Sequence, residues 1–159
     1  MAIQRPVYLN TATGELTRFA ASDSVFEVDY VFVSNANAGA LVIGTPVYKT
    51  AVTDAVDKAD ADALATARVL GLVADTTIAI AGSGNVITDG RLAATTGQWD
   101  AVTGETGGLT PGAKYYLSTA TPGMLTQTVP SVDGHVVAPV GTAKSTTEMS
   151  ITIERIVIL

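Results

Sequence analysis

The 159-residue sequence predicts an all-β fold: a small β-barrel or β-sandwich with an extended N-terminal arm or hairpin and at most one or two short helices. Three observations point there. Short runs rich in β-branched and aromatic residues alternate with Gly, Pro, Asn and Asp turns along the whole chain. Two Pro-Gly turns, Pro111-Gly112 and Pro122-Gly123, bracket the aromatic run Tyr115-Tyr116-Leu117. In such turns Pro presets φ near −65° and Gly accepts the positive φ that follows, leaving Lys114 and Ser118 to face water. Finally, the chain echoes itself. Gly44-Thr45-Pro46-Val47-Tyr48 resembles Gly112-Ala113-Lys114-Tyr115-Tyr116, and Leu70-Gly71-Leu72-Val73-Ala74 parallels Val140-Gly141-Thr142-Ala143. The offsets, 68 and 70 residues, nearly agree. Two half-units of "turn, aromatic strand, connector, apolar strand with Gly" suit a closed or nearly closed barrel, which also removes vulnerable sheet edges.

In chain order, Pro6–Leu9 and Glu15–Phe19 flank turn residues Asn10–Gly14 and predict a hairpin. Val25–Val33 alternates but is too apolar for one solvated face, so it is either a doubly buried strand or an arm lying on a neighbour. Ser34–Gly39 reads as a loop, which divides an N-terminal arm or hairpin, residues 1–33, from a compact β domain, residues 34–159. Within the domain, strands are expected at 41–43, 47–49, 69–74, 77–80 and 85–88. Residues 54–67, with Asp54, Asp57, Asp60, Asp62 and many Ala, predict a short helix whose acids lie near its positive end. Asp89-Gly90 reads as a turn, after which 91–95 and 99–103 pair across Thr96-Gly97-Gln98. Trp99 is expected in the core. Further strands follow at 125–129 and 135–143, and the apolar run 149–159 is expected to dock into the sheet.

Composition narrows the function classes. Only 15% of residues are charged against 47% hydrophobic, so a sizeable core forms while the surface is short of charge. A surface of Thr, Ser and Ala suits coverage by other chains, or is simply bland. The net charge is −6 with no basic cluster, which argues against direct nucleic-acid binding. With no Cys, disulfides and thiolate chemistry are excluded. No signal-peptide pattern opens the chain and no run approaches the ~18 apolar residues of a membrane span, so the expected place of synthesis is the cytosol.

The constellations that resemble chemical sites are weak. Counted from Asp57, an EF-hand loop requires Gly and Glu at its sixth and twelfth positions, where this chain has Asp62 and Arg68. Gly82-Ser83-Gly84 lacks the third Gly and the Lys-Ser/Thr of a phosphate loop and reads as a hairpin turn. Ser131, Asp133 and His135 have the residue types of a hydrolase triad but sit too close on an extended chain to face one another. No catalytic, cofactor-binding or metal-binding residue is assigned, and the chain does not read as an enzyme.

The signature Gly108-Leu109-Thr110-Pro111-Gly112-x-x-Tyr115-Tyr116-Leu117-Ser118, followed by Thr121-Pro122-Gly123-x-Leu125-Thr126 and Val137-x-Pro139-Val140-Gly141-x-Ala143, resembles the C-terminal module of tailed-bacteriophage virion proteins. That module occurs in capsid decoration (cement) proteins and in head or tail fibre proteins. The opening, Arg5-Pro6-Val7-Tyr8-Leu9 with Gly14-Glu15-Leu16, is similar to phage structural proteins of this kind. The resemblance implies a β-tulip-like fold, a homotrimer, and binding to the outside of a shell of major capsid protein, with no catalytic residue or cofactor. The alternative it leaves open is a fibre module that binds a host surface, although the chain lacks the heptads of a fibre shaft.

Overall fold

The computed structural model describes residues 28–159 and the backbone of 7–10 and 15–18. The elements are β1 (Val7–Asn10), β2 (Glu15–Arg18), β3 (Asp29–Asn35), β4 (Leu41–Val42), β5 (Pro46–Lys49), β6 (Ala55–Lys58), β7 (Val69–Val73), β8 (Thr77–Ile78), β9 (Ser83–Ala93), α1 (Thr96–Thr103), β10 (Lys114–Leu117), β11 (Leu125–Thr126), β12 (Val136–Val137), β13 (Pro139–Ala143), β14 (Glu148–Thr152) and β15 (Val157–Ile158). The fold is all-β, with one short helix among the described residues, as the turn spacing predicts.

Five strands close into a barrel in the order β9-β3-β6-β5-β7, with β7 returning to β9. Every contact is antiparallel except β3 with β6, which run parallel and pair only at Ser34↔Ala55 and Asn35↔Val56. From the far end of β9 the sheet continues outward as β14, β13, β10 and β11. The eleven-residue β9 therefore serves both halves. It changes partner from β7, at Val86 and Ile87, to β14, from Asp89 to Ala93. At the changeover Gly90 has φ 109°, and the β3 ladder slips between Asp29 and Tyr30. The turn expected at Asp89-Gly90 is thus a bend inside one strand. Gly supplies the unusual φ while both flanks keep their ladders.

The two cores follow this division. Val33, Leu41, Val47, Val56, Val73, Ile78 and Val86 form the core of the closed barrel. A larger core contains Trp99, Val102, Leu109, Tyr115, Leu117, Leu125, Val140, Met149 and Ile151, and it also takes in Val69, Leu72 and Ile87 from the barrel strands. Inside the barrel region the buried Asn35 stands in for missing ladder bonds. Its Nδ2 donates to the carbonyls of Gly39, Ile78 and Ala79 at 3.0, 3.2 and 3.0 Å, and its Oδ1 accepts from the Asn37 N–H at 2.8 Å.

Several expectations change. The stretch 54–67 is not helical: Ala55–Lys58 is barrel strand β6, and turns follow it. Ala content favours helix only weakly, and burying Ala55 and Val56 between β3 and β5 outweighs it. The helix lies instead at 96–103, where a hairpin return is expected from the sequence. Thr95 caps it. The Thr95 Oγ1 accepts from the Gln98 N–H at 3.3 Å, the Gln98 Oε1 accepts from the Thr95 N–H at 2.8 Å, and Gly104 ends the helix at φ 71°. The turn expected at Gly82–Gly84 lies earlier, at Ile80–Ala81, where the Gly82 N–H donates to the Ala79 carbonyl at 2.9 Å and the left-handed residue is Ala81, φ 56°; Ser83 and Gly84 already belong to β9, and β8 pairs with β4 rather than across that turn. Gly84 is needed for space, since a Cβ there would collide with Asp75 Oδ2. Ser118 is buried rather than facing water, and its Oγ accepts from the Ala120 N–H. The C-terminal run divides: β14 joins the large sheet, whereas β15 pairs with β12 alone among the described residues and leaves Val157, Ile158 and Leu159 exposed.

The expected hairpin is present as β1–β2, in register from Val7↔Arg18 to Asn10↔Glu15. The Val25–Val33 strand is found from Asp29, and residues 25–27 lie outside the described residues. This strand is a stave of the barrel, so it crosses the boundary placed between residues 33 and 34.

Candidate functional surface

The acidic residues of 54–62 are dispersed. Asp54 faces Lys49 at 3.7 Å; Asp57 accepts from Asn37 Nδ2 at 2.6 Å and from the Lys58 N–H at 2.7 Å; Asp60 accepts from the Asp62 N–H at 3.2 Å. Burial pushes the Asp60 carboxyl above the usual carboxylate range, and the backbone hydrogen bond from Asp62 acts against it. Among the described residues no three His, Asp or Glu side chains gather as a metal site. Ser131 and Asp133 are exposed beside the turn that the His135 N–H closes onto the Val132 carbonyl. Ser131 and His135 share the lining of a cleft of about 270 Å³ with Val129 and Val132, and no hydrogen bond links the side chains of Ser131, Asp133 and His135.

The most elaborate polar cluster is structural. Tyr115, fully buried, donates its hydroxyl to Glu105 Oε2 at 2.8 Å and accepts from the Thr110 N–H at 2.9 Å. Gln127 Nε2 donates to Glu105 Oε1 at 2.7 Å and to Thr110 Oγ1 at 3.0 Å. This ties the loop 104–112 to β10 and the chain after β11. Burial, first, and the hydrogen bond to Glu105 hold the Tyr115 hydroxyl above the ordinary tyrosine range. Among the described residues every buried side-chain polar atom has a partner, so none is left aimed at a ligand.

What stands out is a surface of another kind. Along β3, Tyr30 is 52% exposed and Phe32 67%, and Val31 is also open. Large apolar side chains on a monomer are usually exposed singly; here Tyr30 and Phe32 share one face of the strand and Val31 lies on the other. The placement follows from alternation. Val33 and Asn35 point into the barrel, while Tyr30, Phe32 and Ser34 lie on its outer face. Of the run 25–33, which the sequence reads as too apolar for one solvated face, Tyr30, Val31 and Phe32 are exposed and Val33 is buried in the barrel.

No family model matches the chain, and no curated protein matches its sequence.

Proposed function

We propose that this protein is a structural component of a phage virion, a cement protein that binds the outside of the capsid lattice as a homotrimer and stabilises the shell. The observation that carries the reading is the exposed apolar strand Tyr30-Val31-Phe32, which follows an N-terminal hairpin in the sequence. Two further features support it: the resemblance of residues 104–158, and more loosely of 1–30, to phage virion modules, and the charge-poor composition.

The contact mode that fits is strand addition through the segment 1–33, in which main-chain hydrogen bonds give affinity without a chemical site. Many copies on one lattice reinforce one another. Once one subunit of a trimer is bound, the others bind as if intramolecularly, raising avidity by ~10²–10⁴ over single contacts. A ligand specific for the assembled shell stabilises that shell by mass action.

The test adds the protein to bare expanded heads and measures occupancy and thermal rupture. Truncation must stop before Val28, because β3 is a barrel stave. The full chain is expected to decorate and protect the heads, and a chain lacking residues 1–27 to lose most of that binding. A full chain that ignores heads but adheres to host cells returns the fibre reading.

A further inference from the structure

Strand β3 uses one edge completely and the other only in part. On the β9 side the Asn35 N–H donates to the Gly82 carbonyl at 2.8 Å. On the opposite side the N–H groups of Ser34 and Ala36 donate to Asp54 and Val56 at 2.7 and 2.9 Å. Successive backbone groups of an antiparallel strand point to alternate edges, so those of Tyr30 and Phe32 point the same way as those of Ser34. β6 does not reach them, since its pairing with β3 starts at Ser34↔Ala55. Among the described residues no strand lies against this edge. Beside it, Val31, Val33, Val56 and Leu70 line a small cleft of about 40 Å³ that a further strand would roof. An unpaired, apolar edge is a template for strand addition.

The second observation is the hairpin. β1 and β2 form a sheet of their own, separate from the nine-stranded sheet. A two-stranded hairpin is marginal in water and becomes stable when a third strand or a packing face is added. β1, Val7-Tyr8-Leu9-Asn10, has one edge on β2 and the other unpaired among the described residues. Residues 19–27 join the hairpin to Val28 and span at most roughly 30 Å when extended. A single chain thus leaves both the donor strand and the acceptor edge unfilled among the described residues.

We propose that β1 of one copy adds to the open Tyr30–Phe32 edge of β3 in the next copy. The donor and acceptor patches differ, so a head-to-tail contact is heterologous, and it forms a ring when the rotation between copies closes. It deepens the trimer of the proposed function and rests on that reading only for the number of copies. The outer edge of β2 stays available to the shell.

The chain has no Cys, so introduced thiols report without background. Tagged L9C chains are mixed with untagged F32C chains and treated with a short bis-maleimide, and solution mass is measured by light scattering. A tagged–untagged cross-link is expected. Phe32→Pro deletes only an N–H that points away from β9, and the double substitution Tyr30→Ser/Phe32→Ser removes the apolar cover. Both are expected to reduce the solution mass to that of one chain while the β-sheet circular dichroism persists. Val129→Ser, elsewhere on the surface, should change nothing. Should Phe32→Pro unfold the barrel, the serine variant alone decides the matter. Cross-linking confined within an L9C/F32C double chain shows that the hairpin serves its own edge and overturns the proposal. So does an oligomer that survives the serine variant. Head binding, measured in parallel, is separate. A cross-linked ring that ignores heads defeats the capsid reading alone, and a decorating trimer without the cross-link defeats this one alone.

Discussion

The two halves of the sheet are the same unit finished in two ways. β5 pairs with β7 at Pro46↔Leu72, Val47↔Gly71 and Tyr48↔Val69, with a register slip after Val47. β10 pairs with β13 at Lys114↔Thr142, Tyr115↔Gly141 and Tyr116↔Pro139, with a slip after Tyr115. Each pair maps onto its counterpart with the sequence offsets of 68 and 70. The match extends to the neighbours. Tyr48↔Asp57 corresponds to Tyr116↔Thr126, and Val73↔Val86 to Ala143↔Met149. Both units start at a left-handed glycine, Gly44 at φ 83° and Gly112 at φ 82°. In this correspondence the far end of β9 plays for the second unit the part that β3 plays for the first, with Leu92↔Met149 matching Val31↔Val86.

The units part at one position. Ser34 in β3 donates to Asp54 and closes the first unit onto β6. The equivalent residue is Thr95, where the chain leaves the sheet and caps α1. The helix fills the gap that a closing strand would occupy. Its Trp99 is fully buried, donates Nε1–H to the Thr147 carbonyl at 3.1 Å, and lies so close to Gly44 that a Cβ there would meet the indole at 3.0 Å. The inward residues differ to match. Val47 serves in the narrow barrel, and at the matching position the open unit has Tyr115, whose hydroxyl bonds the loop over the opening.

The largest expected effect breaks the open unit. Trp99→Ala removes its filler and should cost about 3–5 kcal/mol. Amide exchange should show protection lost in β10, β11 and β13 more than in β5, β6 and β7; equal loss throughout would mean that the units do not differ in this way. The next compares equivalent glycines. A Cβ on Gly71 would collide with the Ile87 carbonyl oxygen, and one on Gly141 would lie 2.5 Å from that of Ser150. Backbone on both sides must shift, so Gly71→Ala and Gly141→Ala should each cost about 1–3 kcal/mol in a denaturant titration. The closed barrel has less freedom to give, so Gly71→Ala should be the worse. Equal midpoints would show that closure adds no rigidity.

The smallest effect tests the seal. Tyr115→Phe should cost about 0.5–1.5 kcal/mol at neutral pH. Because the folded protein holds this hydroxyl above its ordinary range, the contribution is complete below about pH 10 and is lost as pH rises through the folded value. The stabilities of the wild type and the Tyr115→Phe variant should therefore converge in alkali. Curves that stay parallel would show that the hydroxyl does not sense the seal.

Much of this architecture was legible without coordinates because its signals are local. The Pro-Gly turns are present, with Gly112 and Gly123 at φ 82° and 79°, and the aromatic strand between them alternates inward at Tyr115 and Leu117. The N-terminal hairpin, the buried Trp99 and the repeated half-unit were all readable from turn chemistry, alternation and spacing. The helix has a local signal too, in the pattern Thr95-x-x-Gln98 with Gly104 behind it, but the polar run 96–98 equally resembles a hairpin turn. What only the tertiary structure decided is non-local. Whether Ala55–Lys58 becomes strand or helix depends on β3 and β5 lying on either side of it. Whether Asp89-Gly90 turns or runs on depends on β14, which arrives much later in the chain. Strand edges are satisfied by partners distant in sequence, so the chain's own pattern names its strands but leaves to packing which edges close and which, like that of Tyr30 and Phe32, stay open.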